Sequence, residues 1–410
     1  MQKINHRAAV VGGGPAGLMA AETLAAAGAP VTLYERMPRV ARKLLLAGRG
    51  GLNLTHSEPL ERFLSRYREA EPRLRAAIEA FPPDALRAWC DGLGQETFVG
   101  SSGRVFPRVM KTSPLLRAWL ARLSGHGVDV RLGHRWTGWD DTGRLVFGTA
   151  DGEVRGESAC TILALGGASW PKLGSDGSWV APLAGAGVAI TPLAPANSGV
   201  CIAWSDVFKV RFAGSPLKRI ALRCGDETAR GEALITVAGL EGGAVYALCP
   251  RIRAEIASSG AASITLDLRP DQSQADIAAR LAKPRGKQSL ATFLRKALRF
   301  DPAAIGLLQE TAHRAGTPLS GLAPDGVAHL VKSVPIRAHA LAPIDRAIST
   351  AGGVSFDEID ETFMLRRRPG TFVAGEMIDW EAPTGGYLLQ ASFATGRAAA
   401  KGALEFLKTR

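Results

Sequence analysis

Three glycines, Gly12, Gly14 and Gly17, stand at GxGxxG spacing directly after the apolar run Ala8-Ala9-Val10-Val11. A carboxylate, Glu35, closes a second apolar run, Val31-Thr32-Leu33-Tyr34. Together these residue types at this spacing suit the holding of a pyrophosphate and a ribose. Gly12 permits a tight turn out of the strand, Gly14 lets backbone approach the pyrophosphate, and Gly17 lets the following helix lie close to the sheet. The helix opens at Pro15 and Ala16, and its unpaired N–H groups, carrying roughly half a positive charge, face the anion. Glu35 lies at the ~20-residue separation from which a carboxylate accepts hydrogen bonds from a ribose.

Three further stretches carry residues of the same kind. After Glu35 come Arg36, Arg42 and Lys43, then the glycine-studded run Gly48 to Thr55, which reads as a loop passing close to a ligand with Asn53 offering a polar contact. The apolar strand Thr161 to Ala164 runs into Gly166-Gly167, a second backbone approach, because open α/β sheets bind ligands at the carboxyl ends of their strands. Finally, Phe372-Val373-Ala374 leads into Gly375, Glu376 and Asp379, and Gly385-Gly386-Tyr387-Leu388 precedes a helix rich in small residues. A strand, an acid, a Gly-Gly turn and a helix form another ligand-facing N-terminus.

Positioning these groups takes a βαβ unit at the start of the chain and its continuation at the end. Between them, residues 60 to 94 read as helical, with Pro82-Pro83-Asp84 opening one helix. Short strands around Val99 and Val105 bracket a turn, a helix opens at Ser113-Pro114, and a hairpin spans Arg144 to Gly156, turning at Asp151-Gly152. Residues 195–275 are rich in short strands and 276–336 turn helical, after which the strand-and-glycine style resumes. The expected architecture is α/β. A discontinuous Rossmann-like domain, with a parallel sheet, helices and a small antiparallel sheet, takes residues 1–194 and 337–410. A β-rich, barrel-like insertion takes 195–275 and a helical insertion takes 276–336.

Composition narrows the class. With 410 residues, 46% hydrophobic and 21% charged, the chain is an ordinary globular protein too long for one core. The first seven residues are polar, with no cleavable signal expected, and no run reaches the ~18 apolar residues of a membrane span, so the reading is cytoplasmic with no membrane partner. The five cysteines are dispersed without CxxC spacing and the seven histidines without HxxxH spacing, so no metal is expected. A formal charge of +12 comes mostly from scattered arginines, with Arg366-Arg367-Arg368 the only tight run, which favours a solvated basic surface over a nucleic-acid site.

These motifs resemble those of bacterial FAD-binding flavoproteins of the aminoacetone oxidase-like, NAD(P)/FAD-dependent oxidoreductase type, within the glutathione-reductase-like superfamily. The residues carrying the resemblance are Val11 to Gly17, Glu35-Arg36, Arg42 to Leu45, Gly103 to Pro107, Gly352 to Val354, Phe372 to Asp379 and Gly385 to Tyr387. Two departures, Gly51-Leu52 where the family carries Arg-Cys and Leu388 where it carries Asn, mark a divergent branch.

The resemblance implies FAD, with Glu35 on the adenosine ribose, Glu376 or Asp379 near the ribityl chain, and the helix after Gly386 aimed at the flavin N1 and O2 edge. It implies hydride transfer between a small organic substrate, such as an amine, and flavin N5, with reoxidation by oxygen or another acceptor. Lys43 is expected near the isoalloxazine as a cation or donor, and Tyr387 as a wall or proton donor. One alternative is a reductase of an unsaturated substrate using transient NAD(P)H. Another, from a different class, is a flavin-containing RNA-binding or RNA-modifying protein.

Overall fold

The structure, a computed structural model, describes residues 6–409. Residues 1–5, most of the polar amino-terminal run read above, lie outside the described residues. Two compact units divide the chain, one built from Met1–Ala194 and Ser349–Arg410 and the other from Pro195–Ile348.

The first unit is organised on a parallel sheet of β1 (Ala8–Val11), β2 (Val31–Glu35), β3 (Asp129–Leu132), β4 (Cys160–Leu163) and β5 (Thr371–Val373), in the order β5-β4-β1-β2-β3. Every neighbouring pair is parallel, with Val10 beside both Leu33 and Ile162, and Ile162 beside Phe372. β1, β4 and β5 are buried at every position, as expected of parallel strands covered on both faces. Covering the sheet are α1 (Pro15–Ala26) and the long carboxy-terminal helix, labelled α3 (Tyr387–Lys408), while the short α2 (Arg42–Ala47) follows β2. α1 and α3 approach closely because both present small residues. A Cβ on Gly396 would lie 2.3 Å from the Ala16 carbonyl oxygen, and Ala20, Ala21, Ala399 and Ala400 are fully buried.

Two small antiparallel sheets flank this core. One joins Thr55–His56, Thr97–Val99 and Arg104–Pro107. The other contains the hairpin of Leu145–Thr149 and Gly152–Gly156, extended by Arg135–Trp139. The sequence reading missed that third strand, whose period breaks where the register shifts between Trp136 and Gly138.

The second unit holds a seven-stranded antiparallel sheet. Its two outermost strands, Val334–Ala338 and Ala340–Leu341, are separated in sequence by His339 alone, so the sheet's edges meet there and it curls on itself. Residues 337–348 lie in this unit and not with the return segment, because Val334–Ala338 pairs with Ala262–Asp267. Helices Asp206–Phe212, Gly243–Ala247 and Cys249–Ser259 interleave the strands. They escaped the sequence reading because each is short or, as in Cys249–Ser259, buries only two residues and so has little apolar periodicity. The helices Gln274–Leu281, Leu290–Leu298, Pro302–Arg314 and Pro324–Lys332 complete the unit, with Lys283 to Gly286 between the first two.

Candidate functional site

The turn from β1 into α1 is shaped by what its glycines exclude. Gly12 has φ +108°, and a Cβ there would fall 2.2 Å from the Ala164 carbonyl oxygen beyond β4. A Cβ on Gly17 would fall 1.8 Å from the Gly12 carbonyl oxygen, so this glycine lets the helix close on its own turn. Gly14 differs, since a Cβ on it would meet nothing within 4 Å. It is also the N-cap of α1, which has Pro15 in its first turn, no side-chain cap and no acid. The sequence thereby leaves an uncompensated positive helix end facing open space.

Glu35 closes the far side of this turn. Its Oε2 accepts from the Gly13 N–H and its Oε1 from the Met37 N–H, each at 2.8 Å. Burial pushes the Glu35 carboxyl up, and those two N–H groups only partly offset the effect. The neighbouring Arg36 is committed to Asp176, with Nη1 to Oδ2 at 2.5 Å. Opposing the burial of Asp176, Arg36 and Ser178 hold its carboxyl below the usual range. Arg42 opens α2 behind Ala41, whose φ is +57°, and is half-buried.

A second cluster gathers past the ends of β4 and β5. Lys43 Nζ donates to Ser169 Oγ at 2.6 Å and to both Glu376 oxygens, at 2.8 and 3.1 Å. Glu376 also accepts from the Thr350 N–H at 3.0 Å and the Gly167 N–H at 3.3 Å. Thr350 Oγ1 in turn accepts from the Ala168 N–H at 2.8 Å. Gly167 is required there, because a Cβ would lie 2.2 Å from Thr350 Oγ1, while Gly166 takes φ +70° beside Ser175. Gly375, at φ +78°, brings its turn against Ala16, where a Cβ would be 2.8 Å from the alanine methyl. Asp379 lies apart from this cluster, its Oδ2 accepting from Thr191 Oγ1 at 2.6 Å.

The third cluster surrounds the start of α3. Gly385 and Gly386 have φ +136° and +98°, and a Cβ on Gly386 would fall 2.5 Å from the Thr55 Cα. Tyr387 is buried and donates its hydroxyl to Glu58 Oε1 at 2.5 Å. Arg66 grips Glu58 with two hydrogen bonds, at 3.0 and 2.8 Å, and Arg62 adds an ion pair at 3.2 Å. Leu388 is half-buried against the core, and Asn53 has a buried Oδ1 with no hydrogen-bond partner.

The structure therefore brings Gly12, Gly14, Pro15, Ala16 and Gly17 together with Glu35, and Ala16 with Gly375. It joins Lys43, Gly167 and Glu376 through one carboxylate, and sets Gly386 and Tyr387 on residues 55 to 58. Arg36 and Asp379 have partners outside these clusters. Sequence reasoning missed Ser169, Thr350, Asp176, Glu58 and Arg66. Ser169 could have been found from its place beside Gly166-Gly167, whereas Glu58 sits in a run with no motif.

These features fit FAD. The open surface at Gly14, the uncapped positive end of α1 and the adjacent Glu35 are the donor and acceptor set that a dinucleotide's pyrophosphate and ribose require.

Comparison with known proteins agrees. The HI0933-like protein Rossmann domain model matches residues 6–402. A 3-dehydro-bile acid delta(4,6)-reductase from Clostridium scindens is 27% identical over 413 residues, covering 98% of this chain and 99% of the relative. The open conformation of a flavocytochrome c3 fumarate reductase superposes with TM-score 0.54 at 17% identity, covering 98% of this chain and 78% of the other. The 3-ketosteroid delta1-dehydrogenase from Sterolibacterium denitrificans superposes with TM-score 0.53 at 14% identity, covering 99% and 100%. At those identities the two structures speak for the fold. The chain belongs to the HI0933-like Rossmann-domain family, of the FAD-dependent oxidoreductase type.

Proposed function

We propose that the protein reduces a carbon–carbon double bond conjugated to a carbonyl in a small apolar substrate, using an external two-electron donor such as a reduced nicotinamide. The observation supporting this direction is the end-to-end match with a reductase, which leaves neither chain with a large unmatched part. When bound and reduced by that donor, FAD would supply hydride from N5, and a proton from the site or solvent would complete the saturated product.

The chain's own residues hold and orient. In this reading Gly14 and the N-terminus of α1 take the pyrophosphate, with Pro15 and Ala16 in the first turn. Glu35 takes the adenosine ribose, with Arg36 fixed beside it by Asp176. Gly166, Gly167 and Gly375 would bring backbone close to the cofactor, and Glu376 would face its ribityl portion. Lys43 holds Glu376 in place, because its ammonium makes three hydrogen bonds to Ser169 and Glu376 and so serves position before proton transfer. The N-terminus of α3, with Gly385, Gly386 and the Tyr387 and Leu388 backbone, stabilises charge on the flavin's pyrimidine edge. Arg42, Asn53 and Asp379 would lie at the margin of the cofactor.

Anaerobic stopped-flow mixing tests the direction of electron flow. The flavin, bleached by NADPH or dithionite, is expected to regain its absorbance on addition of a cyclic conjugated enone. Bleaching of the oxidised flavin by a small amine, with no response of the reduced flavin to the enone, would overturn the reductive reading in favour of oxidation.

A further inference from the structure

We propose that Glu58 is a positioning residue for the cofactor, fixing the first turn of α3 by its hold on Tyr387. The inference rests on the reading above that this turn faces the flavin.

The turn has no means of fixing itself. Its N-cap is Gly386, without a side chain, and its first residues include no acid to draw in the N–H groups. Gln390 anchors its far side, donating its side-chain amide to the Phe81 carbonyl at 2.6 Å, and residues 55 to 67 set its start, gripping Tyr387 at three points. The Tyr387 hydroxyl donates to Glu58, and its carbonyl accepts from the Tyr67 hydroxyl at 2.8 Å. The ring stacks on His56 with centroids 5.6 Å apart and planes 18° from parallel, and it lies 4.8 Å from the Phe63 ring. Gly386 seats its backbone directly on Thr55.

Of the grips on the Tyr387 side chain, Glu58 is the directional one, while Tyr67 holds the backbone carbonyl. Stacking permits a ring to slide, whereas a hydrogen bond to an ionised oxygen fixes the phenol in direction and distance. Glu58 is itself immobilised. Its side chain is 7% exposed, Arg66 holds it bidentately, Arg62 pairs with it, and its backbone N–H donates to His56 Nδ1 at 3.1 Å. Burial opposes ionisation of this carboxyl, yet Arg66 and Tyr387 hold it below the usual carboxylate range. The phenol moves the opposite way, raised first by burial and then by the bond to Glu58. A hydroxyl whose only proton is given to a carboxylate has none to give a substrate. Tyr387 therefore acts through its place at the helix start, as an anchor and not as the acid of the reaction.

The test is the FAD dissociation constant of the stripped full chain, read by quenching of flavin fluorescence, for E58A, Y387F, the double variant and E58Q. Thermal midpoints of the stripped proteins are measured beside it. E58A and Y387F are each expected to weaken FAD binding about tenfold, the size expected for loss of a hydrogen bond to a charged group. Both remove the same bond, so the double variant should lie within about twofold of the weaker single one. E58Q keeps an acceptor oxygen for the phenol and should stay within about twofold of wild type.

Additive losses in the double variant, or wild-type affinity in E58A together with a lowered thermal midpoint, would overturn the proposal and leave a staple of the fold. A wild-type chain that takes up no FAD sinks the underlying reading as well. A wild-type chain that binds FAD while all four variants match it sinks the positioning role alone.

Discussion

The two ends of the candidate site are built on opposite plans. Around the turn from β1 to α1 backbone meets backbone, past the end of β4 backbone meets the Thr350 hydroxyl, and the residues that matter are those whose side chains are missing. Gly12, Gly17 and Gly167 each stand where a Cβ would come within 2.2 Å of another atom. At the start of α3 large polar and aromatic side chains take over, and Glu58, Arg66, Tyr67 and Tyr387 fix the first residues of the helix. The first plan tolerates almost no substitution but is rigid once folded. In the second, local geometry depends on a chain of hydrogen bonds in which one member can be lost without unfolding the rest.

The largest effect that would sharpen this contrast is at Gly17. G17A places a methyl against the Gly12 carbonyl with no flexible group to yield, and is expected to cost roughly 3 kcal/mol or more in urea unfolding and to abolish FAD binding. G14A is its control, because the space at Gly14 is open. Its unfolding free energy should stay within about 1 kcal/mol of wild type while FAD affinity falls. Equal destabilisation by both would show that Gly14 packs and does not face a ligand.

Next in size is K43M, which leaves the half-buried Glu376 with only the Thr350 and Gly167 N–H groups. It is expected to lower stability by roughly 1–3 kcal/mol in the same assay. No change would mean that Lys43 is an ordinary surface lysine.

A smaller effect is the acid sensitivity set by Glu35. Its carboxyl is raised above the ordinary 4.5, first by burial. In the interval between the unfolded and folded values the folded chain binds more protons than the unfolded one, so this group's contribution to stability decreases as pH rises through that interval. FAD affinity should run the other way. It should weaken as pH falls through the raised value, beginning above 4.5, because a protonated carboxyl loses an acceptor for the ribose. A binding titration against pH checks this, and E35Q should abolish that step. Smallest is S169A, which removes one hydrogen bond to Lys43 and should cost about 1 kcal/mol.

The same contrast explains what was legible in the sequence. The first strand, Ala8–Val11, and the helix from Pro15 could be placed closely, because turn, strand and helix signals are local and agree with one another. Glycines flag special backbone, so Gly166, Gly167 and Gly375 stood out in the sequence. What they approach was not visible, because Lys43 and Glu376 are 333 residues apart in sequence. Glu58 and Tyr387 are 329 apart, and nothing in Ser57-Glu58-Pro59 differs from an ordinary surface turn until the chain folds back to bury it. Interleaved helices in the second unit were lost for a related reason, since short helices on a curved sheet bury too little to show a period.

Titration of the stripped protein with FAD, followed by flavin fluorescence, bears most directly on the claim that these separated segments together form one cofactor cradle. The account predicts saturation at one FAD per chain in wild type and loss of binding in G14A with its fold retained. A wild-type chain that never saturates, or a G14A variant that binds as wild type does, would contradict it.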